Sequence, residues 1–479
     1  MRSSIKKNYI YNLSYQVFTL LIPLIVTPYV SRVLHPDGVG FFSYANSVAT
    51  YFALAAALGL ASYGMREVAL VKGDIEKASK IFYELTIVRI ITTTASLAVY
   101  AAFVFIFTDE WEYYFAVGLT IAAVFFDCNW FFQALENFKM LALRNFVVKT
   151  ATVILIFTFV KTQDDLLLYF LIQSGGVLAA NALVLPALKA HLVKVPFKSL
   201  KFRHHISETI VYFIPTIATS IYTVLDKTMI GVITGNMFEN GFYEQAHRIV
   251  HMLLTVVTSL TIVVGVRTSS LFADNNIEAI KNHIRKTFRY VCMIALPMTA
   301  GLMACAGIFV PWFFGEGFDK TAPLLVMFSP LIFIISISNV VGTVYLTPTG
   351  QRKRSNKAII AGAILNFVLN IILIPLFNTY GAVIASICAE LLISCMYLYF
   401  GKDYISVRDI AKDSFKYLIM ATVMGVAIYF IGKLLPVTVT SSVIQIGAGI
   451  LIYFAGLLIL RDGMLIDTLK RVIAKFKRS

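Results

Sequence analysis

"AIIAGAILNFVLNIILIPLFNTYGAVIASICAELLISCMYLYF", residues 358–400, contains two apolar runs with a junction of only three residues. Each run is about 20 residues long, which is the length that an α-helix needs to cross the hydrocarbon core of a bilayer. The same pattern recurs along the whole chain. We predict fourteen transmembrane helices at residues 9–30, 41–63, 82–107, 113–134, 146–160, 166–188, 210–234, 243–264, 290–311, 322–347, 358–376, 380–400, 415–432 and 441–460.

The composition supports this prediction. Hydrophobic residues make up 58% of the chain and charged residues 14%, whereas a soluble globular protein is about half apolar and a quarter charged. The sequence therefore predicts an all-α polytopic membrane protein. The formal net charge of +15 could indicate a nucleic-acid partner, so the location of the basic residues decides what that charge means.

The basic residues are strongly sorted between alternate loops. When the N-terminus is placed in the cytoplasm, all but seven of the 41 Lys and Arg lie in cytoplasmic segments or within one turn of them. Such a bias is the signature that orients membrane proteins. The charge therefore predicts cytoplasmic termini and requires no nucleic acid. The seven exceptions are Arg32, Lys161, Lys320 and Lys433 outside, and Arg89, Lys227 and Arg248 within spans.

An internal repeat relates the two halves of the chain. A shift of 201 residues places Gly40-Phe41-Phe42 on Gly241-Phe242-Tyr243, so that span 2 corresponds to span 8. Six spans separate the copies, and an even number preserves orientation, so the repeats are parallel. We predict two six-helix lobes plus two extra C-terminal helices: an N-lobe at 1–188, a basic cytoplasmic linker at 189–209, a C-lobe at 210–400, and helices 13 and 14 with a basic tail at 401–479.

The linker begins with "KAHLVKVPFKSLKFRHH", residues 189–205. Two interpretations stay open for it. A basic amphipathic segment would bind the anionic inner leaflet, whereas a solvated connection would only join the lobes.

Polar residues also occur within the spans. "FYEQAHRIVH", residues 242–251, places Glu244, Arg248 and His251 on one helix face, with His247 beside them. The 201-residue shift aligns this face with Ser43, Asn46, Ser47 and Thr50 in span 2, and spans 1 and 7 are polar as well. Charged groups within a membrane face a bundle interior or a water-filled cavity. The pattern favours a polar cavity between two lobes, as an alternating-access transporter requires.

Ion pairing is the competing interpretation of these charges. Asp226 and Arg248 lie at similar predicted depth, and Lys227 could pair with Glu244. Such pairs would hold hairpins together.

Two further in-span charges keep alternative interpretations. Arg89 and Asp127 are predicted at equal depth, as a structural pair or as part of a transport route. Glu390, in the middle of span 12, is either a proton site, because burial raises the pKa of a carboxyl, or an interhelical hydrogen-bonding group.

The sequence lacks the usual signals of an enzyme or a metal site. No P-loop GxxxxGK[ST], HExxH or nucleophile elbow occurs, so catalysis, a cofactor and a metal site are not expected. The five cysteines, predicted to be buried free thiols, show no CxxC or metal-ligand spacing.

Several motifs carry a family resemblance over nearly the whole chain. They are "HPDGVGFFSYANS", "LGLASYGMREVA", "LDKTMIG", "FYEQAHRIV" and "LTPTGQRKRSNKAIIAGAILNFVLNIILIPLFNTYGAVIAS". Together they resemble bacterial polysaccharide flippases of the multidrug/oligosaccharidyl-lipid/polysaccharide exporter superfamily. The resemblance implies a protein of the bacterial cytoplasmic membrane that moves an undecaprenyl-diphosphate-linked oligosaccharide to the outer leaflet, for capsule, O-antigen or exopolysaccharide synthesis. It also implies membrane lipids and other polysaccharide-assembly proteins, such as a glycan polymerase, as partners.

The resemblance implies roles for individual residues. Arg32, Lys227 and Arg248 become candidate cavity cations, with Asp226 supporting them, and Arg66 and Glu67 of "YGMRE" lie at the cytoplasmic mouth, where a gate or a topology anchor is expected. The full candidate set for the cavity is Arg32, Asn46, Arg89, Lys227, His247, Arg248 and His251, and the set for coupling or gating is Asp226, Glu244, Glu390, Arg66 and Glu67.

Three rival functions remain open. A flippase for the peptidoglycan lipid precursor would share the fold and the charge pattern. A cation-coupled multidrug antiporter of the same superfamily would need an acidic cavity, whereas the in-span residues here are mixed or basic. A membrane-embedded polymerase or ligase would need a large extracytoplasmic loop, and the predicted outer loops are short.

Overall fold

The computed structural model describes the backbone of residues 2–71, 73–273 and 277–476, and the side chains of these ranges except 2–20, 214–223, 260, 262–273, 469 and 471–476. Within these ranges the chain contains α-helices, short 3₁₀ turns and one π-helix, and no β-strand. All fourteen predicted spans fall on helices, which confirms the all-α class. Ten of the described segments are long and apolar enough to cross a membrane.

The chain forms two compact units, residues 1–241 and 242–479. The first nine helices lie in the first unit and are α1 (Arg2–Ala57), α2 (Leu60–Leu70), α3 (Ile75–Phe107), α4 (Trp111–Ala122), α5 (Asn129–Ala134), α6 (Phe138–Phe159), α7 (Leu166–Ala182), α8 (Leu185–Leu188) and α9 (Arg203–Thr234). Helix α10 (Met237–Ala273) begins at the end of this unit and continues into the second. The remaining helices are α11 (Ile277–Phe314), α12 (Thr321–Phe328), α13 (Pro330–Val340), α14 (Arg352–Phe377), α15 (Thr379–Phe400), α16 (Val407–Lys433), α17 (Val439–Ile459) and α18 (Gly463–Phe476).

Several helices extend past the predicted spans at their basic ends. Helix α11 begins at Ile277 instead of residue 290, and α16 begins at Val407 instead of residue 415. The prediction ended each span where charged residues begin. However, a helix can continue into the headgroup region, since its backbone hydrogen bonds are internal there too. At the start of α3, Asp74 caps the helix by accepting a hydrogen bond from the Lys77 amide at 3.0 Å, and this bond lowers the pKa of Asp74.

Local irregularities occur between and within the predicted spans. In α1 the backbone kinks at His35 (φ 54°, ψ 176°), which separates the first two predicted spans. A 3₁₀ turn at Ala123–Phe126 interrupts the fourth span, and a π-helix at Val341–Leu346 follows α13. π-Helical turns inside longer helices frequently occur at functional sites.

Two apolar clusters form the interior of the first unit. One joins α1, α3, α4, α6 and α7 around residues such as Leu34, Tyr100 and Phe170. The other surrounds Trp130 of α5, against which Gly64 of α2 packs so closely that an added Cβ would lie 2.6 Å from the indole. Small residues let membrane helices approach closely, and packing of this kind stabilises helix contacts where water is absent.

The cysteines are only partly buried. All five are free thiols, and Cys128, Cys292 and Cys305 are buried. Cys388 is half-buried and Cys395 is exposed, so the prediction of a buried thiol is wrong for Cys395. An apolar segment in a membrane protein can face lipid, so apolar neighbours in the sequence do not by themselves predict burial in protein.

An ionic cluster fixes the C-terminal part of the second unit. The side chain of Asp462, which is fully buried, forms ion pairs with Lys416 and with Arg289, the latter at 4.0 Å. It also accepts hydrogen bonds from the Tyr417 hydroxyl at 3.1 Å and from the Leu465 amide at 2.8 Å. Burial alone would raise the pKa of Asp462, but the hydrogen bonds from Lys416 and Leu465 outweigh it, and the pKa is lowered.

Replacement of Asp462 tests this cluster. Asp462→Ala should lower the free energy of unfolding by about 3 kcal/mol, because it leaves two cations without their shared carboxylate. Asp462→Asn should cost less, since asparagine still caps the helix start. Because the folded-state pKa is lowered, the contribution is present above the unfolded pKa of about 3.9 and is lost as the pH falls through the folded value. Thermal unfolding in detergent from pH 7 downward measures both effects. Equal stability of Asp462→Asn and wild type at pH 7 would contradict the ionic contribution.

Candidate substrate-binding site

The polar face predicted on span 2 lies on the part of α1 that follows the kink. Part of this face packs within the first unit, where Ser47 Oγ lies 2.8 Å from Thr228 Oγ1 of α9 and the Thr228 hydroxyl donates to Tyr51 at 3.3 Å. Asn46 is half-buried, and within the described part of the chain its carboxamide forms no hydrogen bond. Ser47 therefore contributes to helix packing, whereas Asn46 is available to a polar ligand. The predicted polar side chains of span 1 at 12, 16 and 19 lie outside the described residues.

The acidic and basic pair of span 7 lies on α9. Asp226 is buried at 5% exposure, and Lys227 beside it is half-buried. The Asn240 carboxamide donates to the Lys227 carbonyl at 2.8 Å and accepts from the Gly231 amide at 3.0 Å, which fixes this end of α9. Arg32 is exposed on α1, one turn before the kink. The roles of these side chains as cavity cations and as a supporting acid stay predictions.

Five residues of the stretch 242–251 lie along one face of α10 in the second unit. The Tyr243 and His247 rings stack with centroids 5.7 Å apart, and the His247 and His251 rings are 4.0 Å apart. Arg248 donates to Glu244 Oε1 at 2.8 Å, and its side chain remains 29% exposed. His251 is exposed as well. We call these five residues the α10 stripe. In this stripe the Glu244 carboxylate orients the Arg248 guanidinium, and two imidazole rings lie beside it. The N–H groups of guanidinium and imidazole are hydrogen-bond donors that suit an anionic ligand.

A close backbone contact follows the internal repeat. A Cβ added to Gly40 would lie 1.8 Å from the Met237 carbonyl oxygen, and one added to Gly241 would lie 2.0 Å from the Pro36 carbonyl oxygen. The shift of 201 residues relates Gly40 to Gly241 and Pro36 to Met237, so the two contacts are equivalent under the repeat. Both lie within the first unit. Only glycine permits this approach of the two backbones.

Arg89 is buried in the first unit, but its surroundings differ from the prediction. Its guanidinium lies 3.9 Å from Cys128 Sγ and 5.6 Å from the centroid of the Trp130 ring. Asp127 instead accepts a hydrogen bond from the Asn129 amide. Among the described residues Arg89 and Asp127 form no direct ion pair, so the interpretation of the two as a structural pair is wrong, and a role of Arg89 in a transport route stays a prediction. The helix ends at the 3₁₀ turn before Asp127, which directs the carboxylate to the start of α5.

Arg66 and Glu67 lie on α2 as a partly exposed pair. Their charged groups are 3.5 Å apart, and Arg66 also donates to the Tyr212 hydroxyl of α9 at 3.0 Å. Since that contact joins α2 to α9, the pair could influence the packing of these helices, and its role as a gate stays a prediction.

A buried polar network joins the linker to the first unit, and the sequence did not reveal it. Glu84 of α3 accepts hydrogen bonds from His205 Nε2 at 2.9 Å and from the Lys201 amide at 2.6 Å. His205 Nδ1 in turn lies 2.9 Å from the Tyr63 hydroxyl of α2. Glu84, His205 and Tyr63 are each at most 5% exposed. The end of the linker is therefore bound to α2 and α3 instead of only being solvated.

Loss of the Glu84 carboxylate should release this segment. Glu84→Ala leaves the buried His205 side chain and the Lys201 amide without their shared acceptor, and we expect a loss of about 2 kcal/mol in the free energy of unfolding. Trypsin should then cleave the native protein faster at the basic residues 198–203, as measured by mass spectrometry. Glu76→Ala on the exposed face of α3 is the matched control. Identical cleavage rates in the two variants would contradict the network's holding role.

Glu390 lies at 7% exposure on α15 in the second unit. On the neighbouring α14, Asn370 donates to Asn366 at 3.1 Å, and both amides are fully buried. Ser355 and Tyr397 hydroxyls, 2.6 Å apart, connect α14 to α15. This helix pair is rich in interhelical polar contacts, and the proton-site and hydrogen-bonding roles of Glu390 both stay predictions.

Other polar residues within the spans were missed. Asn339, just before the π-helix, accepts hydrogen bonds from the Thr261 hydroxyl at 3.1 Å and the Thr343 hydroxyl at 3.0 Å. Tyr51 lies one helical turn after Ser47, so its position on the polar face of α1 follows from the spacing. A single asparagine in an apolar run is the corresponding signal for Asn339.

Comparison with known proteins identifies the family. A family model described as "Polysaccharide biosynthesis protein" matches residues 5–265, which is more than half of the chain. The chain belongs to this family. The match includes the repeat-related glycines and the α10 stripe.

Individual relatives agree with the family. The "Putative O-antigen transporter" of Escherichia coli (strain K12) is 26% identical over 406 residues, which cover 84% of this chain and 97% of that protein. "Lipid II flippase MurJ" of Bacillus subtilis (strain 168) is 21% identical over 240 residues, 49% of this chain and 42% of that protein. A solved structure titled "Lipid II flippase MurJ, inward closed conformation" has a TM-score of 0.76 at 16% identity and covers 95% of this chain and all of that one.

Solved structures also show which fold the chain shares. A multidrug resistance transporter titled as a member of the MOP superfamily also shares the fold, with a TM-score of 0.63. The names of these relatives are those of transporters and flippases. The protein is therefore a multi-pass membrane protein of the polysaccharide biosynthesis family.

Proposed function

We propose that the protein is a flippase that moves an undecaprenyl-diphosphate-linked oligosaccharide from the inner to the outer leaflet of the bacterial cytoplasmic membrane. Family membership and the relative named as an O-antigen transporter support a glycan substrate. The glycan would serve capsule, O-antigen or exopolysaccharide synthesis. Both termini would lie in the cytoplasm, and a glycan polymerase would receive the product.

The α10 stripe is the observation that carries this proposal. A lipid diphosphate has about two negative charges, and moving it through a low-dielectric region requires cationic or strongly donating partners. The planar guanidinium of Arg248 is suited to donate two parallel hydrogen bonds to the oxygens of one phosphate. Glu244 orients this group at 2.8 Å, and the imidazoles of His247 and His251 continue the stripe along the helix.

The remaining cavity candidates have complementary roles. Asn46 on α1 offers an amide for sugar hydroxyls, and Arg32 and Lys227 add positive charge. In the proposed mechanism the lobes 1–188 and 210–400 open alternately to the two sides, and the lipid tail stays in the bilayer. Arg89 is the weaker candidate, because its contacts with Cys128 and Trp130 occupy it inside the first unit.

We assign the coupling of transport to an energy source to three acidic residues, Asp226, Glu244 and Glu390. Asp226 and Glu390 are buried carboxyl groups, and Glu244 contacts the proposed phosphate-binding arginine. Protonation of any of these groups would change the local charge balance of a cavity. Asp226→Asn, Glu244→Gln and Glu390→Gln, compared with and without a proton gradient, identify which of them couples.

A leaflet assay tests the proposed function. The full chain is reconstituted into liposomes that hold a fluorescent undecaprenyl-diphosphate oligosaccharide, and a membrane-impermeant quencher reports the fraction on each side. We expect flipping that protein-free liposomes and liposomes with an unrelated transporter do not show. Flipping of the peptidoglycan precursor but not of the oligosaccharide would assign the substrate to that class instead. Uptake of an organic cation without any lipid flipping would favour the antiporter.

A further inference from the structure

A small polar cavity lies between α5 and the beginning of α6, within the first unit. Its volume is about 220 Å³, which is below the roughly 300–1,000 Å³ that is typical of pockets for drug-sized ligands. Four polar side chains line it: Asn129 and Gln133 from α5, and Arg144 and Asn145 from α6. We call it the α5–α6 cavity. None of these four residues belongs to the α10 stripe or to the other candidate residues, so the cavity is a separate feature of the chain.

Hydrogen bonds hold the wall of the α5–α6 cavity in place. Arg144 donates from Nη1 to Asn129 Oδ1 at 2.8 Å and from Nε to Asn145 Oδ1 at 3.1 Å. Asn129 in turn donates to Asn181 of α7 at 3.3 Å, and Asn181 donates to the Ala123 carbonyl at 2.9 Å. The network ties the wall to α7 and to the 3₁₀ turn. A wall that is already ordered loses little conformational freedom when a ligand binds.

Two carboxamide groups of the wall are open to a ligand. Gln133 is exposed, and within the described part of the chain its side chain forms no hydrogen bond. Asn145 accepts from Arg144 through Oδ1, whereas its Nδ2 group donates to no protein atom in the described ranges. A carboxamide holds a donor and an acceptor in one plane, and the neighbouring hydroxyls of a sugar ring offer the complementary pair. The carboxamide oxygens would be unfavourable neighbours for a simple anion, so the wall suits a polyhydroxylated ligand better.

Apolar side chains complete the α5–α6 cavity. Phe138, which is 40% exposed, and the buried Leu141 line it beside the polar groups. A pyranose ring carries C–H groups on its faces and hydroxyls around its edge, so it matches a wall that combines an aromatic ring with carboxamides. Since the cavity is smaller than a drug-sized pocket, it accommodates one sugar ring and not several.

We propose that the α5–α6 cavity binds one sugar ring of the lipid-linked glycan, with Gln133 and Asn145 bound to ring hydroxyls and Phe138 packed against a ring face. The proposal rests on the proposed function, which supplies the glycan. The neighbouring segment 135–145 is a predicted cytoplasmic loop, on the side where a glycan of the inner leaflet would be met. Every lipid of this class carries the same diphosphate, so a phosphate contact alone cannot distinguish one glycan from another. The cavity adds that discrimination.

A binding measurement on the full chain in detergent tests the cavity directly. The probe is the oligosaccharide released from its lipid carrier by mild acid, and isothermal titration calorimetry gives its dissociation constant. Gln133→Ala and Asn145→Ala should each weaken binding about 3- to 10-fold, because each removes a hydrogen bond to the ring. Gln163→Ala is the matched control and should bind as wild type does, since it removes an exposed carboxamide that lies outside the cavity and donates to Asp37.

The leaflet assay separates this proposal from the proposed function. The cavity variants should raise the mole fraction of lipid-linked oligosaccharide at half-maximal flipping about 3- to 10-fold and leave the maximal rate unchanged. Gln133→Ala decides the result if Asn145→Ala fails to fold, because the Gln133 side chain forms no hydrogen bond within the described ranges.

The possible outcomes are distinct. Flipping by wild type with equal oligosaccharide binding by Gln133→Ala and Gln163→Ala would overturn the cavity proposal and leave the proposed function intact. Cavity-dependent oligosaccharide binding without any flipping would support the sugar site and reject the proposed function. Wild type that binds inorganic phosphate in the cavity and no oligosaccharide would overturn the proposal in favour of an anion site.

Discussion

Arg248→Ala should slow flipping of the lipid-linked oligosaccharide by about 10- to 100-fold, because a charge-assisted contact to phosphate contributes about 1.5–3 kcal/mol. Arg248 is the member of the α10 stripe with a permanent charge, and Glu244 holds it in position at 2.8 Å. Arg248→Lys should retain part of the rate, since lysine keeps the charge and loses the planar pair of donors. The leaflet assay on reconstituted protein gives the rate for each variant.

Two controls separate a substrate contact from a structural one. Arg408→Ala removes an exposed arginine on α16 and should leave the rate unchanged. Thermal unfolding of Arg248→Ala in detergent should stay close to that of wild type, because the Arg248 side chain is 29% exposed and its ion pair with Glu244 lies within one helix. A normal flipping rate with Arg248→Ala would show that the stripe has a structural role and that Arg248 does not contact the substrate. A slow rate together with a large loss of stability would do the same.

Gly40→Ala and Gly241→Ala should each prevent normal packing at the start of α10. The new methyl group would lie about 2 Å from a carbonyl oxygen in both cases, and backbone atoms cannot rotate away as a flexible side chain can. Overpacking typically costs 1–3 kcal/mol and more where backbones must separate, so we expect a loss of about 3 kcal/mol or more. Fluorescence-detected size exclusion after heating measures the folded fraction of each variant.

Gly175→Ala provides the matched control for both substitutions. Gly175 lies inside helix α7, and a Cβ added there would meet no atom within 4 Å. Alanine is the better helix former, so this variant should be as stable as wild type or slightly more stable. If Gly40→Ala behaves like Gly175→Ala, the backbones do not approach as closely as the structure shows. Equal losses for Gly40 and Gly241 would support the equivalence of the two positions.

The existence of the helices could be predicted because apolar length is a local property. Each of the fourteen predicted spans lies on a helix, including the fourth, which a 3₁₀ turn interrupts. The ends could not be predicted equally well. Helix α11 begins thirteen residues before the predicted span, because polar residues end a hydropathy pattern but do not end a helix.

The grouping of the α10 stripe could also be predicted, since residues three and four apart share a helix face. Partners distant in the sequence could not. Glu84 and His205 are separated by 121 positions and belong to segments that look unrelated in composition. Charge and predicted depth suggest Asp127 as a partner of Arg89, whereas the observed neighbours of Arg89 are Cys128 and Trp130. Rotation about a helix axis, and not depth alone, decides which side chains meet.

The paired glycines have a consequence for the ancestry of the chain. Gly40 touches the segment that begins at Met237, and Gly241 touches the segment that begins at Pro36, so each segment serves as the other's partner. Two identical subunits related by a twofold axis form contacts of this isologous kind, in which residue i meets j and j meets i. Within the first unit, the two glycine contacts follow this reciprocal pattern. A duplicated and fused six-helix gene would preserve it, with each glycine retained in both copies by the same steric requirement.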